Sequence, residues 1–297
     1  MLPLAHLGGS AFEPLQLAGL TALGAAYGIR AARLAAAGRG VPGWRVACFY
    51  AGLLVLVVAF VSPIAHLAEE LVTGHMIQHL LVVDIAALLV VLGLTGPILQ
   101  PLLAIRALRW LRVLAHPLAA FGLWAVLLYA WHIPALYEGA AFDSEALHAL
   151  QHISFFTAGL SIWLALIGPL PEPAWFGTGA RVIYVSAVRL AGGVLANVMM
   201  WSGTLLYPRY SEAGGGFEIS PLADQGTAGV VMMVESSVLF LATFAWLILR
   251  WARQDGERQA LLDLAAARGV ELGPERAERA VRSGTGERLR ERIEGTR

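Results

Sequence analysis

Four histidines of this chain form two pairs with the same spacing, and a fifth lies between the pairs. The pairs are His75/His79 and His148/His152, and the fifth residue is His132. Residues four apart are neighbours on one face of an α-helix, so each pair presents two imidazoles side by side. Imidazole is the commonest metal ligand among protein side chains. The spacing predicts a metal site, provided that the helices carrying these residues meet.

The composition is that of a membrane protein. Of the 297 residues, 58% are hydrophobic and only 14% are charged, and the mean hydropathy is +0.66. A soluble domain carries about 25% charged residues. Seven apolar stretches are long enough to cross a bilayer as helices, and none alternates as a strand does. They cover about residues 15–34, 46–64, 74–95, 117–135, 149–168, 181–205 and 227–250.

We therefore expect an all-α, polytopic fold with a bundle of seven transmembrane helices. The bundle occupies residues 15–250, between an exoplasmic segment (1–14) and a charged cytoplasmic tail (251–297). No basic residue precedes the first apolar stretch, so we expect a permanent helix there and not a cleaved signal peptide.

Charge defines the two sides of the membrane. Every basic residue except histidine is an arginine, and with seven spans nearly all of them fall on one side, which the positive-inside rule assigns to the cytoplasm. The N-terminus is then outside and the C-terminus is cytoplasmic. The arginines on that inner side, apart from the eleven between Arg250 and Arg297, are Arg30, Arg33, Arg39, Arg45, Arg106, Arg109, Arg112 and Arg181.

This topology gathers the five histidines at the outer membrane boundary. His75 and His79 begin the third span, His132 ends the fourth, and His148 and His152 begin the fifth. Helices joined by short connections pack as neighbours, so we expect the rings to converge. Acidic residues in the adjoining loops would attract cations. His66, on the same side, is a weaker sixth candidate ligand.

The donor set narrows the choice of metal. Imidazole suits copper, zinc, iron and nickel. The only cysteine, Cys48, lies at the cytoplasmic start of the second span, so the site has no thiolate. Thioether ligands favour Cu(I). The methionines considered as weaker ligands are Met76, Met199, Met200, Met232 and Met233.

Three charged residues lie inside the predicted spans: Asp84, Arg189 and Glu235. A charge at membrane depth usually has a partner and often marks a functional site. We expect Arg189 to pair with Asp84 or Glu235. The pair would fix the register of the helices or form part of a polar path for protons or ions.

Three segments resemble one protein family. They are His75-Met-Ile-Gln-His79-Leu-Leu, Tyr129-Ala-Trp-His132-Ile-Pro134-Ala-Leu-Tyr137 and Leu147-His148-Ala-Leu-Gln-His152-Ile-Ser-Phe. Together with Asp224-Gln225, Gly229 and Met232, they are similar to the seven-span, Bacillus-type CtaG family of cytochrome c oxidase assembly proteins. The resemblance covers roughly residues 15–250. Asp84 and the Glu235-Ser-Ser segment depart from the family pattern.

The resemblance implies a multi-pass protein of the bacterial inner (plasma) membrane that supplies or guards copper for haem–copper oxidases. It implies that His75, His79, His132, His148 and His152 hold the metal. From the donor set we favour Cu(I) over Cu(II), with zinc as the alternative. Partners would be oxidase subunits or other copper chaperones, in contact with the lipid bilayer. Homo-oligomerisation stays open, and no motif for nucleic acid is present.

Other functions remain open from the residues alone. Membrane hydrolases of seven helices hold zinc with three histidines, and Asp84, Glu69 or Glu70 would then serve as the base. A haem could take His79 and His152 as axial ligands. A scaffold without metal is the last alternative. We favour a metal-binding assembly factor that is not an enzyme.

Overall fold

A computed structural model describes residues 13–106, 111–171, 173–213 and 217–295, and its regular elements are helices. The predicted exoplasmic segment lies almost entirely outside the described residues. In chain order the helices are α1 (Glu13–Ala36), α2 (Gly43–Val61), α3 (Pro63–Glu70), α4 (Val72–Gly93), α5 (Gly96–Ala104), α6 (Leu111–Leu114), α7 (Pro117–Trp131), α8 (Pro134–Asp143), α9 (Glu145–Ile167), α10 (Thr178–Trp201), α11 (Tyr210–Ala213), α12 (Pro221–Ala267), α13 (Pro274–Arg282) and α14 (Gly286–Gly295).

Five of these helices are long and apolar enough to cross a membrane: α2, α4, α9, α10 and α12. The bent pair α7 and α8, whose axes differ by 80°, is a sixth candidate if the two count as one span. Helix α1 coincides with the first predicted span but is not among the helices that meet this criterion. The predicted all-α fold is confirmed for the described residues, since their regular elements are helices.

Prolines and short polar side chains define where the helices near the histidines begin. The hydroxyl of Ser62 accepts a hydrogen bond of 3.1 Å from the Ile64 N–H, ahead of Pro63. Ser144 accepts one of 3.2 Å from the Leu147 N–H, which starts α9 just before His148. Side chains of this kind satisfy N–H groups that a helix leaves without partners. Proline has no N–H and starts a helix readily, so Pro134 turns the chain sharply after His132.

The chain divides into two compact units. The first comprises the described residues up to Phe176 together with Ser186–Ser237. In it Tyr27 of α1 stacks on Phe49 of α2 with ring centres 3.7 Å apart. A second apolar cluster in this unit contains Met76, Tyr137 and Met199.

The second unit comprises Gly177–Val185 and the chain from Val238 onward. Its apolar cluster joins Leu261 and Ala265 of α12 to Val281 of α13 and to Leu289 and Ile293 of α14. From the sequence we expect a solvated, partly disordered tail with short helices at 256–268 and 274–282. The second of these helices is confirmed as α13, whereas α12 continues without a break to Ala267 and α14 adds to a small apolar core. Sparse apolar residues suffice here because they recur on one face of each helix.

Candidate functional site

The two histidine pairs face each other across α4 and α9. Within α4 the ring centres of His75 and His79 are 4.3 Å apart, and within α9 those of His148 and His152 are also 4.3 Å apart. Between the helices, His75 is 5.5 Å from His148 and His79 is 5.4 Å from His152. The four rings therefore form a closed quadrilateral, which we call the histidine quartet.

Close approach of α4 and α9 depends on a glycine. A Cβ atom at Gly159 of α9 would collide with the carbonyl oxygen of Val83 in α4. Val83 lies in a π-helical turn, Leu81–Ala86, one turn beyond His79. Such turns are frequent at functional sites. Absence of a side chain at Gly159 thus sets the distance across which the histidine pairs face each other.

The start of α4 is held by a residue distant in sequence. The carboxylate of Asp224, at the beginning of α12, accepts hydrogen bonds from the N–H groups of Val72 at 2.7 Å and Thr73 at 3.1 Å. The hydroxyl of Thr73 donates to the Asp224 carbonyl at 2.9 Å. A carboxylate at a helix N-terminus satisfies these donors and is favoured by the helix dipole. Asp224 thereby fixes the turn from which His75 projects.

His75 has a hydrogen-bonding partner on its outer nitrogen. Its Nδ1 lies 2.8 Å from the hydroxyl of Tyr210, which also lies 3.2 Å from the Ala68 carbonyl. Burial raises the pKa of Tyr210 well above its usual value, so the phenol keeps its proton. A carbonyl can only accept, so Tyr210 donates to Ala68 and accepts from the Nδ1–H of His75. The lone pair of His75 is then on Nε2.

His132 has the same arrangement at the end of α7. Its Nδ1 lies 2.7 Å from the carbonyl oxygen of Leu128, so Nδ1 carries the proton and Nε2 carries the lone pair. Its ring centre is 6.0 Å from that of Tyr137 and 6.3 Å from that of Phe155. Phe155 in turn lies 4.7 Å from His79. His132 therefore borders the quartet without completing it.

Several ring nitrogens are buried and have no hydrogen-bond partner within the described parts of the chain. They are Nε2 of His75, His132, His148 and His152 and both ring nitrogens of His79. A buried polar atom without a partner costs about 1–3 kcal/mol. Hydrogen bonds to the outer nitrogen of a histidine are the usual means by which proteins orient it toward a metal. The donor set suits an ion such as copper or zinc.

The rings do not converge on a single point as they stand. Within the described residues, no three histidine, cysteine, aspartate or glutamate side chains are arranged to hold one metal ion. The rings are adjacent, and their nitrogens would have to turn toward a common centre to bind together.

Two glutamines join the histidines, and the sequence contains a signal for them. Both pairs belong to the same five-residue pattern, His-x-x-Gln-His, with Gln78 in the first and Gln151 in the second. The Gln78 amide donates to the Ala59 carbonyl at 2.8 Å, while its own oxygen has no partner among the described residues. The Gln151 side chain is fully buried, and its amide interacts with the ring of His75. The repeated His-x-x-Gln-His pattern marks both glutamines in the sequence, whereas the spacing of the histidines alone does not.

The weaker candidate ligands lie elsewhere. Met76, Met199 and Met232 pack in the apolar cluster of Tyr137 and Tyr207. Met233 contacts that cluster, and its sulfur accepts a hydrogen bond from Arg189 at 2.7 Å. Met200 lies against Gly229, where an added Cβ would meet both Met200 and the carbonyl oxygen of Ala196. These surroundings are those of packing residues.

His66 is outside the quartet as well. Its side chain is 56% exposed, and Nε2 lies 3.3 Å from Glu70.

The predicted ion pair of Arg189 is not formed. Arg189 donates to the hydroxyl of Ser237 at 2.9 Å, in addition to the sulfur of Met233. Both carboxylate oxygens of Glu235 are buried and without a hydrogen-bond partner among the described residues. Asp84 and Glu235 are near enough to interact electrostatically with each other. Arg189 is thus satisfied by neutral acceptors one helical turn apart on α12, which the sequence did not predict.

Comparison with known proteins identifies one family. The family described as cytochrome c oxidase caa3 assembly factor (Caa3_CtaG) matches residues 25–254, a range that includes all five histidines. No curated protein and no solved structure matches the chain.

Proposed function

Because this chain belongs to the family of cytochrome c oxidase caa3 assembly factors, we propose that it binds copper at the histidine quartet and delivers it during oxidase assembly. Copper is here the cargo of the protein and not a resident cofactor. The proposal gives a chemical role to side chains that the assembly function alone does not explain.

One observation carries the proposal: four histidine rings from two helices lie side by side, and each has a buried nitrogen without a hydrogen-bond partner among the described residues. A structural role would leave these nitrogens hydrogen-bonded, since buried polar groups normally are. Hydrogen bonds instead restrain the outer nitrogens of His75 and His132. This is the arrangement expected of oriented metal ligands.

The ring spacing supports binding of a single ion. A metal–nitrogen bond of about 2.0 Å puts each ring centre roughly 3 Å from the ion, so rings around a tetrahedral centre lie about 5 Å apart. The measured separations are between 4.3 and 5.5 Å. Rotation of the rings about their Cβ–Cγ bonds, with little movement of the helices, would turn the nitrogens inward.

We propose His75, His79 and His152 as ligands, with His148 as a fourth or as a partner. His132 would hold the ion during entry or exit, because it borders the quartet beside Phe155. Copper suits an all-imidazole site, and zinc is the alternative.

The charge distribution supports an exoplasmic site. Arginine-rich segments fall at one end of the spans and the histidines at the other. By the positive-inside rule the quartet then faces the exoplasmic side of the bacterial plasma membrane, with the N-terminus outside and the C-terminus in the cytoplasm. Copper could be transferred there to oxidase subunits or accepted from other copper chaperones.

This orientation requires seven spans, with α1 as the first. Its 24 residues extend about 36 Å at 1.5 Å per residue, enough for a hydrocarbon core of about 30 Å. Tyr27 of α1 donates to the Gly93 carbonyl at 3.0 Å, and Arg30 donates to the Pro97 carbonyl at 2.8 Å. These contacts hold α1 against the end of α4, which is apolar enough to cross a membrane, and against the start of α5.

The test is copper stoichiometry in purified protein, with His66→Ala as the matched control. We expect wild type and His66→Ala to bind equal amounts of copper and His79→Ala to lose most of it. His66 is the appropriate control because it is an exposed histidine outside the quartet. Unchanged stoichiometry in His79→Ala would refute the proposal. Tightly bound zinc with hydrolytic turnover would indicate an enzyme, and a Soret band would indicate haem.

A further inference from the structure

A cavity of about 360 Å³ lies where α4 ends, at the opposite end of that helix from His75. Its lining comes from three connections of the chain and their flanks: α1 to α2, α4 to α5, and the segment that follows α9. The lining residues include Arg39, Arg45, Thr95, Pro97 and Pro169. The positive-inside rule assigns all three connections to the cytoplasm. The structure thus forms a pocket of ligand size, about 300–1,000 Å³ in other proteins, at one side of the membrane.

The cavity is positively charged. Arg39 and Arg45 line it, and none of the described residues in its lining is acidic. A third guanidinium borders it, because Arg30 donates to the carbonyl of Pro97 at 2.8 Å. Arginine is the side chain best suited to phosphate, since its planar fork matches two oxygens at once. The charge and the residue type therefore favour a phosphate group as ligand.

Arg45 is held in place with donors to spare. Its Nη1 donates to the carbonyls of Leu92 at 2.9 Å and Leu94 at 3.1 Å. Its guanidinium carbon also lies 4.6 Å from the ring centre of Trp44. An arginine has five N–H groups, so three remain for a ligand after these two bonds. A guanidinium fixed in this way loses little freedom when it binds an anion.

Thr95 offers a hydroxyl that the fold does not use. It precedes the first residue of α5, yet its side chain makes no capping hydrogen bond. Its Oγ1 is buried and has no hydrogen-bond partner among the described residues. Buried polar atoms normally have a partner, and an oxygen of a ligand in the cavity would provide one.

We propose that this cavity binds the phosphate group of an anionic phospholipid of the cytoplasmic leaflet. Arg39 and Arg45 pair with the phosphate oxygens, and Thr95 donates its hydroxyl to one of them. The lipid would join the connection between α1 and α2 to the start of α5. The inference goes beyond the proposed function and does not depend on copper binding.

The surroundings favour a lipid over free phosphate. The cavity lies at the end of apolar helices, and Val41, Leu94 and Pro97 give it an apolar wall. Trp44, beside Arg45, is 55% exposed. Tryptophan concentrates at the level of the lipid headgroups. Basic pockets at the cytoplasmic ends of transmembrane helices are typical sites for anionic headgroups.

Native mass spectrometry of the purified protein, titrated with single lipids, provides the first test. We expect wild type to bind phosphatidylglycerol about tenfold more tightly than phosphatidylcholine, whose choline group compensates the phosphate charge. Equal affinity for the two lipids would overturn the inference.

Thermal unfolding distinguishes the two sources of phosphate. A ligand that binds the folded state raises the unfolding temperature. We expect phosphatidylglycerol to raise it and inorganic phosphate at the same concentration to leave it unchanged. Equal stabilisation by both would show that the cavity binds free phosphate, and the assignment to a lipid would be wrong.

Arg39→Gln and Thr95→Val test the two kinds of contact. We expect Arg39→Gln to weaken phosphatidylglycerol binding about tenfold, because a charge-assisted hydrogen bond is lost. Thr95→Val should weaken it about threefold. Without lipid, Thr95→Val should be as stable as wild type or more stable, because a methyl group replaces a buried hydroxyl that has no partner. Wild-type affinity in either variant would overturn the inference.

Arg253→Gln provides the matched control. It removes the same charge from an exposed position of α12 that does not line the cavity. We expect this variant to bind phosphatidylglycerol as wild type does. A loss equal to that of Arg39→Gln would indicate a diffuse effect of net charge and would overturn the assignment of a site.

Discussion

Tyr210 and His75 share a hydrogen bond of 2.8 Å between the phenol oxygen and Nδ1, although 135 residues separate them in the chain. The phenol also donates to the Ala68 carbonyl, so it can only accept from His75. This bond selects the form of the imidazole whose lone pair is on Nε2. A residue of the short helix α11 thus determines which atom of His75 is available to a metal.

Replacing Tyr210 with phenylalanine should weaken copper binding. The ring would retain its packing, but His75 would lose the acceptor that orients it, and we expect affinity to fall about 10- to 100-fold. Competition with a chelator measures the change. The control is Tyr129→Phe, which removes an exposed hydroxyl bonded to Ala191 at 2.8 Å. Equal affinities in Tyr210→Phe and wild type would contradict the assigned role.

Asp224→Ala should destabilise the protein. It removes a buried carboxylate that accepts from two N–H groups at the start of α4, and we expect the free energy of unfolding to drop by about 2 kcal/mol. Unfolding in detergent, followed by circular dichroism, measures it. Asp255→Asn, which weakens a partly exposed pair with Arg258 within α12, should have no measurable effect. Matching losses in the two variants would argue against a capping role for Asp224.

Gly159→Ala should force α4 and α9 apart. The added methyl group meets the Val83 carbonyl oxygen, and overpacking of this kind costs about 1–3 kcal/mol. We expect lower stability together with weaker copper binding, because the distance between the histidine pairs increases. Gly122→Ala on α7 is the control, since a Cβ there meets nothing within 4 Å. If Gly159→Ala bound copper as wild type does, the spacing of these helices would not matter for the site.

The apolar cluster of the second unit should be separable from the copper site. Leu289 is 5% exposed, and Leu289→Asp should cost roughly 3 kcal/mol of local stability through loss of apolar burial. We expect faster amide hydrogen exchange in α13 and α14 and unchanged copper stoichiometry. Glu257→Gln, at an exposed position of α12 beyond the predicted span, is the control for exchange. Protection that persists in Leu289→Asp would show that the cluster does not hold these helices together.

Much of the site could be predicted from spacing. The intervals between His75 and His79 and between His148 and His152 place each pair on one helix face, and both pairs lie on the helices where we expected them. Helix periodicity is local, so four consecutive residues are enough to determine it. The sequence also places both pairs at the same end of their apolar stretches.

Other contacts could not be predicted from residues that are neighbours in the sequence. Asp224 caps a helix that begins 152 residues earlier, and Tyr210 orients a histidine in that same helix. Arg189 was expected to pair with a carboxylate and instead donates to Met233 and Ser237. Depth in the membrane can be inferred from the sequence, but the direction in which a helix presents a side chain depends on what packs against it.

The sequence by itself determined that this chain is helical, that its helices are apolar enough for a membrane, and that paired imidazoles lie at one end of them. Hydropathy depends on the residues of one span, and helix periodicity depends on the residues of one turn. Each property is therefore decided by residues close together in the sequence. Only the tertiary structure decided that the pairs face each other, which nitrogen of His75 and of His132 keeps its lone pair, and that Gln151 lies against His75. Those outcomes depend on distances between groups far apart in the chain, such as the gap that Gly159 leaves for Val83, and no local pattern specifies them.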